Sequence, residues 1–194
     1  MPDSELVAAA RKGDDVSFEL LVERYLKTVY NFCVRLLGNA ADAEDVVQTT
    51  FLKTWSNLSS FQQGANFKSW LLAIARNAAI DVMRKKRDIP FSMFTDTMGN
   101  NVIENAIDDT ELLPEELLVR AEQKNALEEL LQKLPMPQRE VLLLHYTEYL
   151  TFAKIGKILH EPANTVKSRH ARGIRLLRTL MTKMHQNNGP IRIE

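Results

Sequence analysis

Over the first third of the chain, apolar residues recur mostly at three- and four-residue steps. Phe18, Leu21, Val22, Tyr25, Val29, Phe32, Cys33, Leu36 and Leu37 draw one stripe. It predicts an amphipathic helix ending near Gly38, because glycine readily takes the left-handed backbone that closes helices. Ala43, Val46, Val47, Thr50, Phe51, Trp55 and Leu58 draw a second stripe, preceded by Asn39 and Asp42 at N-cap spacing. Phe67, Trp70, Leu71, Ile74, Ala75, Ala78, Val82 and Met83 draw a third. Such faces bury one another, each large side chain contributing ~1.5–3 kcal/mol before chain entropy opposes it. With a short leading helix near residues 4–12 they form a first domain, residues 1–87.

The periodicity lapses over residues 88–114, which contain Pro90, Gly99, Asn100, Asn101 and Pro114. A stretch this long exceeds the ~12–15 residues of ordinary structureless connections and reads as a linker. Helical pattern resumes at Leu117 and runs through Leu127, Leu130, Leu131 and Leu134. It breaks at Pro135 and restarts after Pro137 through Val141, Leu142 and His145. Thr151 is placed to cap a short helix carrying Phe152, Ile155, Ile158 and Leu159, and Pro162 opens a last helix to about Met184. Residues 115–185 are thus a second domain and 186–194 a tail. Nothing alternates with period two over a useful length. The expected fold class is all-α, two small helical domains joined by an acidic linker.

Composition narrows the function classes. With 45% hydrophobic residues, and 25 Lys and Arg against 25 Asp and Glu, the chain is a globular protein of zero formal charge. No apolar run approaches the ~18 residues of a membrane span, and the first residues lack the basic end and apolar stretch of an export signal, so no membrane insertion and a cytoplasmic location are expected. The single cysteine, Cys33, excludes an internal disulfide; lying on an apolar stripe, it reads as a small buried hydrophobe. His145, His170 and His185 show no zinc spacing, and His170 reads as a packed, hydrogen-bonded core residue, so neither metal nor cofactor is expected.

The distribution of charge says more. Residues 88–119 hold eight acids and no Lys or Arg, whereas 162–193 hold seven bases and no acid, and 66–87 hold six bases against Asp81. Two basic segments flanking an acidic one suit two polyanion-binding surfaces on a tether, although solvated helix faces would give the same pattern. A short helix, a turn at residues 160–162 and a longer basic helix describe a helix-turn-helix. Val166, His170, Gly173, Leu177, Leu180 and Met184 mark its inner face. The first turns can present Asn164, Thr165, Ser168 and Arg169 to base edges in a major groove, with later basic residues such as Arg175 and Arg178 meeting phosphates.

Four stretches together resemble the extracytoplasmic-function (ECF) group of bacterial RNA polymerase sigma factors: DAEDVVQTTFLKTW (42–55), FKSWLLAIARNAAIDVMRKKR (67–87), LPMPQREVLLLHY (134–146) and LTFAKIGKILHEPANTVKSRHARGI (150–174). The resemblance spans nearly the whole chain. It implies a sigma domain two (1–87) that grips the polymerase clamp and melts the -10 element, and a sigma domain four (115–185) that reads the -35 element. By resemblance, Asp42, Asp45, Gln48 and Leu52 contact core polymerase. Phe61, Arg76, Asn77, Ile80, Asp81 and Arg84 meet the -10 strand, and Asn164, Thr165, Lys167, Ser168, Arg169, Arg172 and Arg175 meet the -35 duplex. The implied partners are core RNA polymerase, promoter DNA and an anti-sigma factor. The linker would pass through a basic channel of the polymerase.

Read alone, Asp42, Glu44 and Asp45 also suit a helix N-terminus electrostatically, and Phe61, Phe67 and Trp70 also read as core. The chain departs from its relatives at QQGAN (62–66), which replaces an Arg-Gly-acid-Ser run, at Ala153 and Lys154, where relatives carry acids, and at His160, which replaces a turn glycine. Histidine tolerates the left-handed region better than most residues, so the turn is expected to survive. A dimeric helix-turn-helix regulator would explain residues 150–180 but not the stretch 42–55. A nucleic-acid enzyme is not expected: no P-loop, HExxH or paired metal carboxylates are present.

Overall fold

The computed structural model describes residues 1–87 and 124–188, and among these every regular element is helical. The helices are α1 (Asp3–Ala10), α2 (Asp15–Leu37), α3 (Ala40–Asn57), α4 (Phe67–Arg87), α5 (Lys124–Gln132), α6 (Met136–Leu142), α7 (Phe152–Leu159) and α8 (Ala163–Asn188). The expected linker and the start of the expected helix at Leu117 lie outside the described residues. α8 runs four residues past the expected end at Met184.

Local chemistry sets the boundaries. Asp14 caps α2, accepting hydrogen bonds from the Ser17 amide and from the Ser17 hydroxyl at 2.6 Å. Gly38, at φ 72°, closes the same helix by donating its N–H to the Val34 carbonyl at 2.8 Å. Asn39 caps α3 through the Asp42 amide at 3.0 Å, as its spacing predicts. α6 begins with Pro137 in its first turn and continues into one π-helical turn, Leu143–Thr147.

α1 packs on α2, α2 on α3 and α3 on α4, while α6 and α7 pack on α8. Two helical units result. They also meet: α5 and α6 lie against α2, and α7 lies against α4. Phe32, Leu36, Leu71 and Leu72 of the first unit, and Leu134, Leu144, Ile155 and Ile174 of the second, are fully buried in one continuous core. Cys33 belongs to it, and burial pushes its thiol up to about 12.

Candidate nucleic-acid interface

Helix α3 separates its residues sharply. Val46, Val47 and Phe51 are buried, while Asp45 and Gln48 are exposed, Asp42 is half-buried, and Leu52 stands 69% exposed. Beside them α2 and α3 border an open groove of about 510 Å³, lined by Leu26, Lys27, Tyr30, Glu44, Val47 and Gln48. Apolar walls and exposed leucines beside carboxylates suit a partner helix bearing both apolar and basic residues. Trp55, expected inward, lies at the edge: it is 41% exposed, with its ring 4.7 Å from that of Phe18.

Helix α4 is less open. Phe61, assigned to the -10 strand by resemblance, is 5% exposed and packs against Phe67 and Trp70, with ring centroids 5.6 and 5.1 Å away. Its apolar ring completes the core beneath the exposed 62–66 loop, in keeping with the core reading of Phe61, Phe67 and Trp70. Asn66 caps α4 by accepting from the Ser69 amide at 2.8 Å. Asn77 and Arg84 are exposed and Ile80 and Asp81 half-buried, with Asp81 paired to Arg84 at 3.4 Å and to Lys53 at 3.7 Å. Arg76 turns to the second unit instead, forking onto Glu140 with Nε–Oε2 at 2.8 Å and Nη2–Oε1 at 3.3 Å.

The turn between α7 and α8 forms as expected. Thr151 accepts from the Lys154 amide, and His160 takes φ 56°, ψ 42° with its N–H on the Gly156 carbonyl. Gly156 is required by close approach: an added Cβ would stand 2.6 Å from the Glu161 carbonyl oxygen. Along α8, Asn164, Arg175 and Arg178 are exposed, and Thr165, Lys167, Ser168 and Arg172 half-buried. Arg172 donates back to the Ser168 carbonyl and hydroxyl, both at 3.3 Å.

Arg169 is the main correction. It is 2% exposed, pairs with Glu161 at 2.7 Å, and lies 3.6 Å from Glu140, so in this arrangement it does not face a groove. Three residues after the fully buried Val166, it falls on the inner flank of the helix rather than on the outward face of Thr165. His170 is the packed core histidine its position implied: Tyr146 Oη lies 2.9 Å from its Nε2, and burial, with His145 nearby, lowers it to about 4.

Sequence reasoning missed Gln132, Arg139, Glu140 and Glu148. Arg139 donates Nη1 to the Leu36 carbonyl at 2.8 Å and Nη2 to the Gln132 and Leu134 carbonyls, while Gln132 Nε2 donates to the Arg35 carbonyl at 2.7 Å. Together they cap the carboxyl end of α2 from the other unit. The available signal was an Arg-Glu pair beside the apolar run at 141–144. Burial raises the Glu140 carboxyl above its usual range, and Arg76 and Arg169 pull against that rise. Among the described residues no group of His, Cys, Asp and Glu is placed to hold a metal, and no helix is long and apolar enough to cross a membrane.

Residues 21–89 match the family model of Sigma-70 region 2, and residues 124–177 that of Sigma-70, region 4. The ECF RNA polymerase sigma factor SigW of Bacillus subtilis is 35% identical over 174 residues, covering 89% of this chain and 92% of its own. The chain belongs to the ECF sigma factors. The ECF RNA polymerase sigma-E factor of Escherichia coli is 31% identical over 170 residues, covering 87% of this sigma factor and 88% of its own length. The fold matches that of CnrH in its complex with the cytosolic domain of CnrY, with a TM-score of 0.67 at 23% identity, covering 93% of this chain and 97% of that one. It also matches RpoE of Bartonella quintana in complex with the anti-sigma factor NepR, at a TM-score of 0.64 and 24% identity, covering 85% and 96%. The protein is therefore an alternative sigma factor for promoter recognition. A free-standing dimeric helix-turn-helix regulator is not favoured, because the region 2 match accounts for the residues that reading leaves out.

Proposed function

We propose that this sigma factor docks on core RNA polymerase through the outer face of α3, meets the -10 strand with α4 and reads the -35 duplex with α8. The observation that carries the docking site is Leu52, 69% exposed on a helix whose opposite side is buried, beside the open α2–α3 groove. Asp42, Asp45 and Gln48 supply the polar part of that surface. Residues 1–87 act as sigma domain two, 88–114 as the linker and 115–185 as sigma domain four. The site of action is the cytoplasm, and the polymerase supplies the chemistry. The two solved relatives held by CnrY and by an anti-sigma factor support a partner of that kind here.

The proposed -35 contact set leaves out Arg169, which is buried and paired with Glu161. Asn164, Thr165, Lys167, Ser168 and Arg172 remain at or near the surface of the first turns, and Arg175 and Arg178 extend the basic face along a helix that rises ~1.5 Å per residue. Arg169 supports the helix from inside. Leu52→Asp tests the docking site: titrated against core polymerase, the variant is expected to lose at least ~100-fold in affinity with an unchanged helical spectrum. Assembly at normal affinity would overturn the assignment.

A further inference from the structure

Two cations on the polar face of α4 are occupied in this arrangement of the free chain, although Asn77 and Arg84 on the same helix stay exposed. Arg76 forks onto Glu140, which is 1% exposed, and Lys68 pairs with Glu148 Oε2 at 2.8 Å while also donating to the Glu148 carbonyl at 3.3 Å. Both cations belong to α4; Glu140 lies in α6 and Glu148 in the segment that leads from it to the helix-turn-helix. The acids occupy cations that a polyanion lying along α4 would otherwise meet. We propose that Glu140 and Glu148 form an intramolecular acidic latch that occupies the α4 cations and closes the free sigma factor to single-stranded DNA until the two units part. The inference rests on the reading of α4 as the surface for the -10 strand.

Opening leaves neither acid stranded. When Arg76 leaves, Glu140 still has Arg169 at 3.6 Å within its own unit. Glu148 keeps the Thr147 hydroxyl at 3.1 Å, and Arg139 keeps the Gln132 and Leu134 carbonyls after giving up that of Leu36. Buried charges usually make separation costly because one partner is stranded. Here each acid has a second partner that travels with it. On α4, Arg76 and Lys68 are released toward solvent or toward a polyanion.

Closure also requires that the units approach closely at the end of α2. Gly38 admits the Gln132 side chain there, since an added Cβ would lie 2.6 Å from its Oε1. The contact surface is polar and salt-bridged as well as apolar, as in interfaces between domains that separate.

The test uses the full chain, with dyes on exposed positions of the two units to read their distance, and a labelled single strand of about ten A- and T-rich nucleotides to read binding by anisotropy. Glu148→Gln and Glu140→Gln, checked for helical content, are expected to lengthen the distance. They should also tighten strand binding by about tenfold, because affinity scales with the open fraction. Should burial make Glu140→Gln unfold, Glu148→Gln alone decides. A folded variant that binds the strand no better than the parent overturns the latch, as does a parent chain whose units are already apart. A separate arm keeps the underlying reading distinguishable: holoenzyme with Arg76→Ala is expected to melt promoters poorly. Normal melting by that holoenzyme overturns the assignment of α4, and the latch with it.

Discussion

The outer face of α3 and the polar face of α4 belong to the same helical unit, and both carry groups suited to a partner, yet the chain treats them differently. On α3, Asp45, Gln48 and Leu52 are left to solvent. On α4, Arg76 is 14% exposed at its side chain and clasped by Glu140. An exposed leucine beside an open apolar groove suits a partner, whereas a cation can be satisfied internally by an acid until a polyanion replaces it. If the proposed latch holds, the difference gives an order of events: polymerase docks on α3 while the units are together, and DNA reaches α4 once they move apart.

Removing Arg139, which ties the second unit to the end of α2, has the largest expected effect. Arg139→Ala deletes hydrogen bonds to three carbonyls and uncaps α2 from the other unit, and should cost ~2–5 kcal/mol of unfolding free energy. Leu52→Gln on the open face should change stability by no more than about 0.5 kcal/mol. Paired denaturant titrations check both, and equal losses would erase the contrast between the inter-unit contact and the open α3 face.

A smaller effect follows from acid. His170 is neutral in the folded protein at about 4, below its ordinary value of 6.5, because burial penalises the imidazolium. Its contribution is therefore fully present above pH ~6.5 and is lost as the pH falls from there toward about 4, since the unfolded chain takes up the proton first. His170→Gln should show a shallower loss of melting temperature than the parent between pH 7 and pH 4.5. An unchanged slope would place the acid sensitivity elsewhere.

The smallest effect is expected at Arg178, exposed on α8. As a phosphate ligand it contributes alike to every sequence, so Arg178→Ala should weaken holoenzyme binding to cognate and altered -35 elements equally, and reduce the log-log salt slope by about one. A change in sequence preference would assign it to a base instead.

The helices and the α3 face were legible in the sequence because both are local. A 3.6-residue period sets Leu52 apart from Val47 and Phe51, and Asn39, Gly38, Thr151 and His160 mark helix ends through their own backbone or side chains. The Arg76–Glu140 pair was not legible, because its members stand 64 residues apart. Arg169 was misplaced for a related reason. Periodicity sorts residues by polarity, and an arginine on the border of an apolar stripe is assigned outward unless an inward acid is known to meet it. Phe61 illustrates the reverse case, an aromatic whose place in the core was legible from its apolar neighbours Phe67 and Trp70.

The central claim is that this chain gives core RNA polymerase its promoter specificity through an exposed α3 face. The most direct test is transcription in vitro with core polymerase over a promoter library, comparing the parent chain, Leu52→Asp and no added chain. The account predicts start sites downstream of a shared pair of -35 and -10 elements with the parent, and none above background in the other two reactions. Specific duplex binding without polymerase, with no transcription when polymerase is added, would contradict it.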